Sequence, residues 1–196
     1  MVSQNKGKIM KSDDQNMLPQ ILSTRTVAKS RLFEIEAVDL RFSNGEKRTY
    51  ERFKPGAHQA VMMVPIEGDA LLMIREYAVG TERYELSFPK GGVDVGETPK
   101  EAANRELKEE IGVGAKRIDF LRTVMTSPSY MRNPMHIFIV QDFYPCKLEG
   151  DEPEPLEVVR FPLAKLDELI ANPDFNEARN LTALYALRDY LRHQRL

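Results

Sequence analysis

Tryptophan is absent from the 196-residue chain, cysteine occurs once, and there are only three histidines. Because Cys146 is alone, no intrachain disulfide can form, which fits a reducing compartment. Nothing beside Cys146 suggests a nucleophile, and His58, His136 and His193 have no spacing that suggests a catalytic triad or a zinc cluster. No run approaches the ~18 apolar residues of a membrane span. The N-terminal stretch MVSQNKGKIMKSDDQNMLPQ has no apolar core for a signal peptide. A large excess of charge is missing too. The 28 basic and 30 acidic residues leave −2, which argues against a surface built for nucleic acid. These absences lead to the expectation of a cytoplasmic protein with no membrane segment and no dedicated nucleic-acid site. What is present is a globular balance, 42% hydrophobic and 30% charged, on a length that supports one ordinary domain.

The charge is unevenly placed. Residues 91–113 hold six acidic side chains against three basic ones, a net −3. Residues 147–157 hold five against one, a net −4, so the rest of the chain is mildly basic at +5.

Residues 1–19 are polar and aperiodic and read as a flexible tail, followed by a single domain over 20–196. Leu32 to Leu40 and a run through Tyr50 and Phe53 flank the turn signal Ser43-Asn44-Gly45, which predicts a β-hairpin or small sheet within about 20–55. Ala60–Ile66 and Ala70–Tyr77 read as buried strands, and Arg83–Phe88 as a short one broken by Pro89-Lys90-Gly91-Gly92. Further strands are expected at Ile118–Met125, Met135–Phe143 and Glu157–Phe161, and helices at Pro162–Ala171 and Asn176–His193. The order of strands, helix, strands and helices predicts an α/β protein, a mixed sheet with helices on its faces.

The strongest local signal is a helix from Thr98 to Ile111. Thr98 suits the N-cap, Pro99 the N1 position, and Glu101 at N3 completes a capping box; Gly112 suits the stop. Ala103, Leu107 and Ile111 form its apolar stripe. At 100° per residue, Glu106, Glu109 and Glu110 fall within an arc of about 100°. Such like charges repel by roughly 0.2–0.5 kcal/mol per pair, and they sit at the wrong end of the helix dipole for anions. A solvated acidic face is one account of this placement. A bound divalent cation is the other, and it reverses the sign of the argument.

The spacing around the helix decides between them. Gly91, Glu97, Arg105-Glu106-Leu107, Glu109-Glu110 and Gly112-Val113 fill every fixed position of G-x5-E-x7-R-E-U-x-E-E-x-G-U, where U is aliphatic. This segment resembles the signature box of the Nudix hydrolases. The resemblance implies an α/β/α sandwich with a small N-terminal β-extension. It implies Mg²⁺, with Mn²⁺ as a substitute, held among Glu106, Glu109, Glu110, the Lys90 main-chain carbonyl and Glu97. Hard carboxylate oxygens suit such an ion. It further implies that Glu97 and Arg105 pair to brace the loop, and that Arg105, Glu109 and Glu110 serve catalysis. Gly91 is expected to supply a tight turn before the helix.

In this family the reaction is hydrolysis of a diphosphate linked to a nucleoside or similar group, and water needs a base. In related enzymes that base is a glutamate outside the box. The acidic stretch Glu149-Gly150-Asp151-Glu152-Pro153-Glu154 offers Glu152 first and Glu154 second, with an acidic surface loop as the alternative. Ile74-Arg75-Glu76-Tyr77, Tyr84-Glu85-Leu86 and Pro128, 16 residues after Gly112, resemble the ADP-ribose group of the family. More narrowly, TVAKSRLFEIEAVDLRFSNG, REYAVGTERYEL, EGDEPEPL and NPDFNEARN resemble the bacterial ADP-compounds hydrolases of NudE type. That likeness implies ADP-ribose, NADH and diadenosine polyphosphates as substrates, AMP as a product, and a homodimer. Arg75, as a fixed planar cation, is a candidate phosphate contact. Glu85 is a candidate for orienting substrate, and Tyr130 for stacking on a base. Another nucleoside-diphosphate-linked substrate, such as a nucleotide sugar, a nucleoside triphosphate or capped RNA, is the alternative within the family. A non-catalytic nucleotide sensor is the alternative outside it, and the intact box disfavours that.

Overall fold

The computed structural model describes residues 18–56 and 59–193. The greater part of the expected polar tail, up to residue 17, and His58 lie outside the described residues. By its contacts the chain falls into two units, one up to Gly56 together with Ser129–Met131, the other the remainder.

The first unit is a three-stranded antiparallel sheet in the order β1 (Gln20–Lys29), β2 (Glu34–Arg41), β3 (Lys47–Phe53). The turn at Ser43-Asn44-Gly45 joins β2 and β3 as the sequence indicates. Of the hairpin or small sheet expected here, the small sheet forms, with β1 as the strand beyond the hairpin. All ten of its residues are exposed, so it carries no buried apolar face to betray it. Polar pairs accompany its ladder instead: Arg25 meets Asp39 at 2.8 Å and the Thr26 hydroxyl donates to Glu34 at 2.8 Å. The Phe53 N–H donates to the Tyr130 carbonyl at 2.8 Å, which ties Ser129–Met131 to this sheet.

The second unit is built on a seven-stranded mixed sheet. Its main order is β10 (Glu157–Pro162), β5 (Ala70–Ala78), β4 (Ala60–Glu67), β9 (Pro134–Pro145), β8 (Val113–Met125). Strand β6 (Arg83–Ser87) pairs with β5, and β7 (Lys90–Gly92) with β4. Only β4 and β9 run parallel; the other pairs are antiparallel. Helix α1 (Pro99–Glu110) covers one face, and α2 (Leu166–Ala171) with α3 (Ala178–His193) the other. This is the expected α/β/α sandwich.

The near-continuous apolar reading of β4 has a simple cause. Side chains alternate across a strand. Met62, Val64 and Ile66 pack with Leu184 and Leu187 of α3, while Val61 and Met63 pack with Ala102, Ala103 and Leu107 of α1. Strand β9 divides in the same way, with Ile137 and Ile139 on the α3 side and Phe138 and Val140 on the α1 side. Both strands are therefore buried on two faces.

Several boundaries differ from the sequence reading. Lys90–Gly92 does not merely break β6; it pairs with Ala60–Met62 and forms β7. The Pro162–Ala171 segment opens with the end of β10 and one 3-10 turn, Leu163–Lys165, before α2. Strand β8 begins five residues earlier than expected because Val113–Ala115 pair with Phe143–Pro145.

Candidate active site

Helix α1 starts as its local chemistry requires. Thr98 adopts β backbone at the N-cap and its side chain accepts from the Glu101 N–H at 3.3 Å. The Glu101 carboxylate accepts from the Thr98 N–H at 2.8 Å. Leu107, Ala102 and Ala103 are fully buried against the sheet, and Gly112 takes φ +77° just past the helix, where a Cβ would be strained. The helical period places Glu106 and Glu110 beside this buried stripe, where they face Gly91 and Lys90 of β7, with Glu109 at the adjoining edge.

Arg105 organises the surroundings of these carboxylates. Its Nε and Nη2 donate to the two oxygens of Glu97 at 3.1 and 3.0 Å, and Nη2 also donates to the Gly92 carbonyl at 2.9 Å. Nη1 donates to Glu106 at 2.8 Å and to Glu109 at 2.9 Å. Glu97 takes a further bond from the Asp94 N–H at 3.2 Å. The hydrogen bond from Arg105 holds the Glu97 carboxyl below the usual carboxylate range. Both Glu97 oxygens are thus occupied in bracing the loop before the helix. Among the described residues no three acidic, histidine or cysteine side chains converge on one point, and one guanidinium nitrogen of Arg105 holds both Glu106 and Glu109.

Burial dominates the electrostatics. It pushes the Glu106 carboxyl up to about 7, with Arg105 opposing and Glu109 and Asp151 reinforcing. It pushes Glu110 up to about 8, despite the nearby Lys90 ammonium and the Lys90 N–H, which donates to Glu110 at 3.1 Å. Burying carboxylates is costly unless a cation or donors compensate.

Gly91 has a different reason from the one expected. It lies in β7 opposite Val61 and does not have positive φ. A Cβ there would lie 1.9 Å from Cδ of Glu106, so glycine is required by the close approach of that carboxyl. The turn into β7 is held from the other side of the sheet. Asn180 of α3, only 2% exposed, accepts from the Phe88 N–H at 2.9 Å. No spacing rule in the sequence singles out Asn180.

Facing the helix is the acidic loop. A cleft of about 290 Å³ is lined by Glu106, Glu109 and Glu110 on one side and by residues 147–156 on the other. The loop leaves β9 bonded to the helix end: Cys146 N–H donates to the Gly112 carbonyl and Leu148 N–H to the Lys108 carbonyl, both at 3.1 Å, and the Lys147 ammonium donates to the Glu109 carbonyl. Glu152 lines this cleft. Burial raises its carboxyl, as do the charges of Glu76 and Asp151, while Lys90 opposes. Glu154 is engaged otherwise, since the Tyr84 hydroxyl donates to it at 2.6 Å.

Glu76 was not singled out by sequence reasoning, yet it enters this constellation by pairing with the Lys90 ammonium. The neighbouring Arg75 points to the other face of β5 and meets Glu157 of β10 at 3.3 Å. Glu85 stands directly opposite Glu76 in the β5–β6 ladder, and its carboxyl is lowered by Arg83 and Thr81, which donate at 2.7 and 2.8 Å. Tyr130 is exposed and belongs to the unit of the N-terminal sheet. His136 is bonded to Thr123 and Gln59, and His193 to the Asp189 carbonyl. No helix among the described residues is long and apolar enough to cross a membrane.

Comparison with known proteins agrees with this architecture. Residues 19–52 match the NudE-type Nudix hydrolase N-terminal domain and residues 56–185 match the NUDIX domain. The chain is 57% identical over 176 residues to ADP compounds hydrolase NudE of Escherichia coli (strain K12), covering 90% of this chain and 95% of the relative. It is 29% identical over 174 residues to ADP-ribose pyrophosphatase of Bacillus subtilis (strain 168), covering 85% and 94%. A solved structure described as the crystal structure of ADP compounds hydrolase superposes with a TM-score of 0.88 at 57% identity, over 90% of this chain and 95% of that one. With the box carboxylates gathered on α1 of an α/β/α sandwich, both family domains matched, and a relative 57% identical over 95% of its length, this chain belongs to the Nudix hydrolases and carries the NudE-type N-terminal domain.

Proposed function

We propose that this chain hydrolyses ADP-linked diphosphates, including ADP-ribose, NADH and diadenosine polyphosphates, to AMP and a phosphorylated remainder. The observation that carries the reading is the cleft itself: three glutamates of one helix face an acidic loop, in a chain 57% identical to an ADP compounds hydrolase.

The residues fit a hard divalent cation. Glu106, Glu109 and Glu110 offer carboxylate oxygens, and the Lys90 carbonyl lies in the strand whose N–H holds Glu110. No thiol or imidazole lines the cleft, which suits Mg²⁺ or Mn²⁺ better than zinc. When bound, such an ion neutralises diphosphate charge and makes water more acidic. Arg105 aims Glu106 and Glu109, while Glu97 and the Gly92 carbonyl fix Arg105 itself. Glu152 takes the proton from the attacking water. Its carboxyl is raised by burial and acidic neighbours, which strengthens its affinity for a proton. Glu154 is assigned no proton transfer because the Tyr84 hydroxyl occupies it. Arg75, which meets Glu157, Glu85, which meets Arg83 and Thr81, and the exposed Tyr130 ring are proposed as substrate contacts outside the proton transfer. The lone Cys146 suits a reducing cytoplasm, and the likeness of the N-terminal strands to the family supports a homodimer.

A substrate panel with AMP detection tests the assignment. ADP-ribose, NADH and diadenosine compounds are expected to release AMP faster than nucleotide sugars without adenine, nucleoside triphosphates or capped RNA. Glu109→Gln and Glu110→Gln should each cut turnover by at least about 10²-fold with the melting temperature retained. A weak response to every ADP compound rejects the substrate class, and near-normal turnover in both variants rejects the mechanism.

A further inference from the structure

The β5–β6 hairpin carries two neighbouring positions that the reaction does not explain, Tyr77 and Tyr84. They stand opposite each other in the ladder, with ring centroids 5.5 Å apart at 67°, and both are about half exposed. Exposed aromatic pairs near a strand end need no special account. The hydroxyl of Tyr84 is different. It reaches 70 residues along the chain to the Glu154 carboxylate at 2.6 Å, a short charge-assisted bond.

That bond lies at the far end of the acidic loop. The near end is bonded to α1 through Cys146, Lys147 and Leu148. Gly150 packs on the helix as well: a Cβ there would lie 3.3 Å from Cβ of Glu109. From Asp151 to Pro155 the side-chain bond from Tyr84 to Glu154 is the one that secures the loop to the hairpin. Strand alternation gives the attachment its geometry. Glu76, one residue before Tyr77, points to the opposite face. Glu152 feels the charges of Glu76 and Lys90, whereas Glu154 meets Tyr84. Two residues of the loop, separated only by Pro153, line one cleft, and one of them is held by the hairpin. Pro153 stiffens the link between them, so a displacement at Glu154 is transmitted to Glu152.

We propose that Tyr84 is a positioning residue for hydrolysis, its hydroxyl holding through Glu154 the loop that presents Glu152 to the box glutamates. The inference rests on the reading of Glu152 as the base. A loop released at one end samples many positions, and a misplacement of about 1 Å at a reacting group costs up to about 10²-fold.

The test is steady-state AMP release from ADP-ribose at saturating Mg²⁺, with thermal melts of each variant. Tyr84→Phe keeps the ring and is expected to lower kcat by about tenfold, with KM within about twofold and an unchanged melt. Glu154→Ala should give the same loss, and the double variant no more than either single one. Glu154→Gln, which retains an acceptor oxygen, should restore most of the rate. In a Glu152→Gln background Tyr84→Phe should have no further effect. Multiplying losses in the double variant, a Tyr84→Phe enzyme within twofold of the parent, or a loss confined to KM each overturns the proposal. A near-inactive Glu154→Ala beside an active Tyr84→Phe also overturns it, because Glu154 would then act directly. Near-normal Glu152→Gln overturns the base reading first, and that outcome is distinct from an inactive Glu152→Gln with a normal Tyr84→Phe.

Discussion

Replacing Gly91 by alanine puts a methyl carbon where the Glu106 carboxyl lies. In the structure that carbon would be 1.9 Å from Cδ, 2.1 Å from Oε1 and 2.3 Å from Oε2. Ordinary contact needs separations near 3.5 Å, about 1.5 Å more than the site allows. The strand cannot retreat easily, because β7 is paired with β4 and the preceding turn is held by Asn180. The helix cannot retreat either, since lifting it from the sheet would unpack Leu107 and Ala103, which are fully buried against the same sheet. What moves is the flexible end of Glu106. The stability cost is small, about 0.5–1.5 kcal/mol for an off-rotamer side chain, partly offset by the lower chain entropy of alanine in the unfolded state. The catalytic cost is large, since a shift of 1 Å or more in a positioned group costs about 10²-fold. Gly91→Ala is therefore expected to melt within a few degrees of the parent and to lose about 10²-fold in kcat/KM, with a higher Mg²⁺ requirement. AMP release across a Mg²⁺ titration, paired with a thermal melt, reads both quantities. A variant within threefold of the parent at every Mg²⁺ concentration would refute the reasoning, and so would a variant that fails to fold.

Two other outcomes follow from the same site. Glu106 and Glu110 have folded-state values raised to about 7 and about 8, so the folded state binds more protons than the unfolded chain, whose carboxyls titrate near 4.5. In EDTA, stability is therefore expected to fall as pH rises from about 5 to about 8 and to level off above, with Glu110→Gln flattening the slope; a melting temperature that climbs over this range counts against it. Glu97, shifted the other way, acts only at lower pH and leaves this window clear. Asn180→Ala leaves the Phe88 N–H buried without its acceptor and should cost about 1–3 kcal/mol. Denaturant unfolding checks it, and a midpoint equal to the parent's would show that water or a shifted strand replaces the bond.

The parts of the site that were legible in the sequence are those whose chemistry is local. Thr98, Pro99 and Glu101 announce the helix start because a cap is made by residues three apart. Glu106, Glu109 and Glu110 share an edge because the helical period places them there. What escaped was decided by partners far along the chain. Glu76 rather than Arg75 faces the box because alternation on β5 is set by the register with β6 and β10, and a one-residue slip reverses it. Lys90-Gly91 reads as a break because proline and glycine dominate locally, whereas pairing with β4 makes it a strand. Strand β1 escaped because an edge strand exposed on both sides has no apolar alternation to find. Glu152 and Glu154, offered first and second from the sequence, differ in their surroundings in ways set by distant partners: burial and Glu76 raise the Glu152 carboxyl, while the Tyr84 hydroxyl donates to Glu154.

The attachment of the acidic loop to the end of α1 has a consequence for how such an enzyme can diversify. Two of its three bonds run from main-chain N–H groups to main-chain carbonyls, and the third ends on a carbonyl as well. The two main-chain bonds do not depend on side-chain identity. Glu149 and Asp151 can therefore be exchanged while the loop keeps its seat on the helix, provided Gly150 stays small beside Glu109.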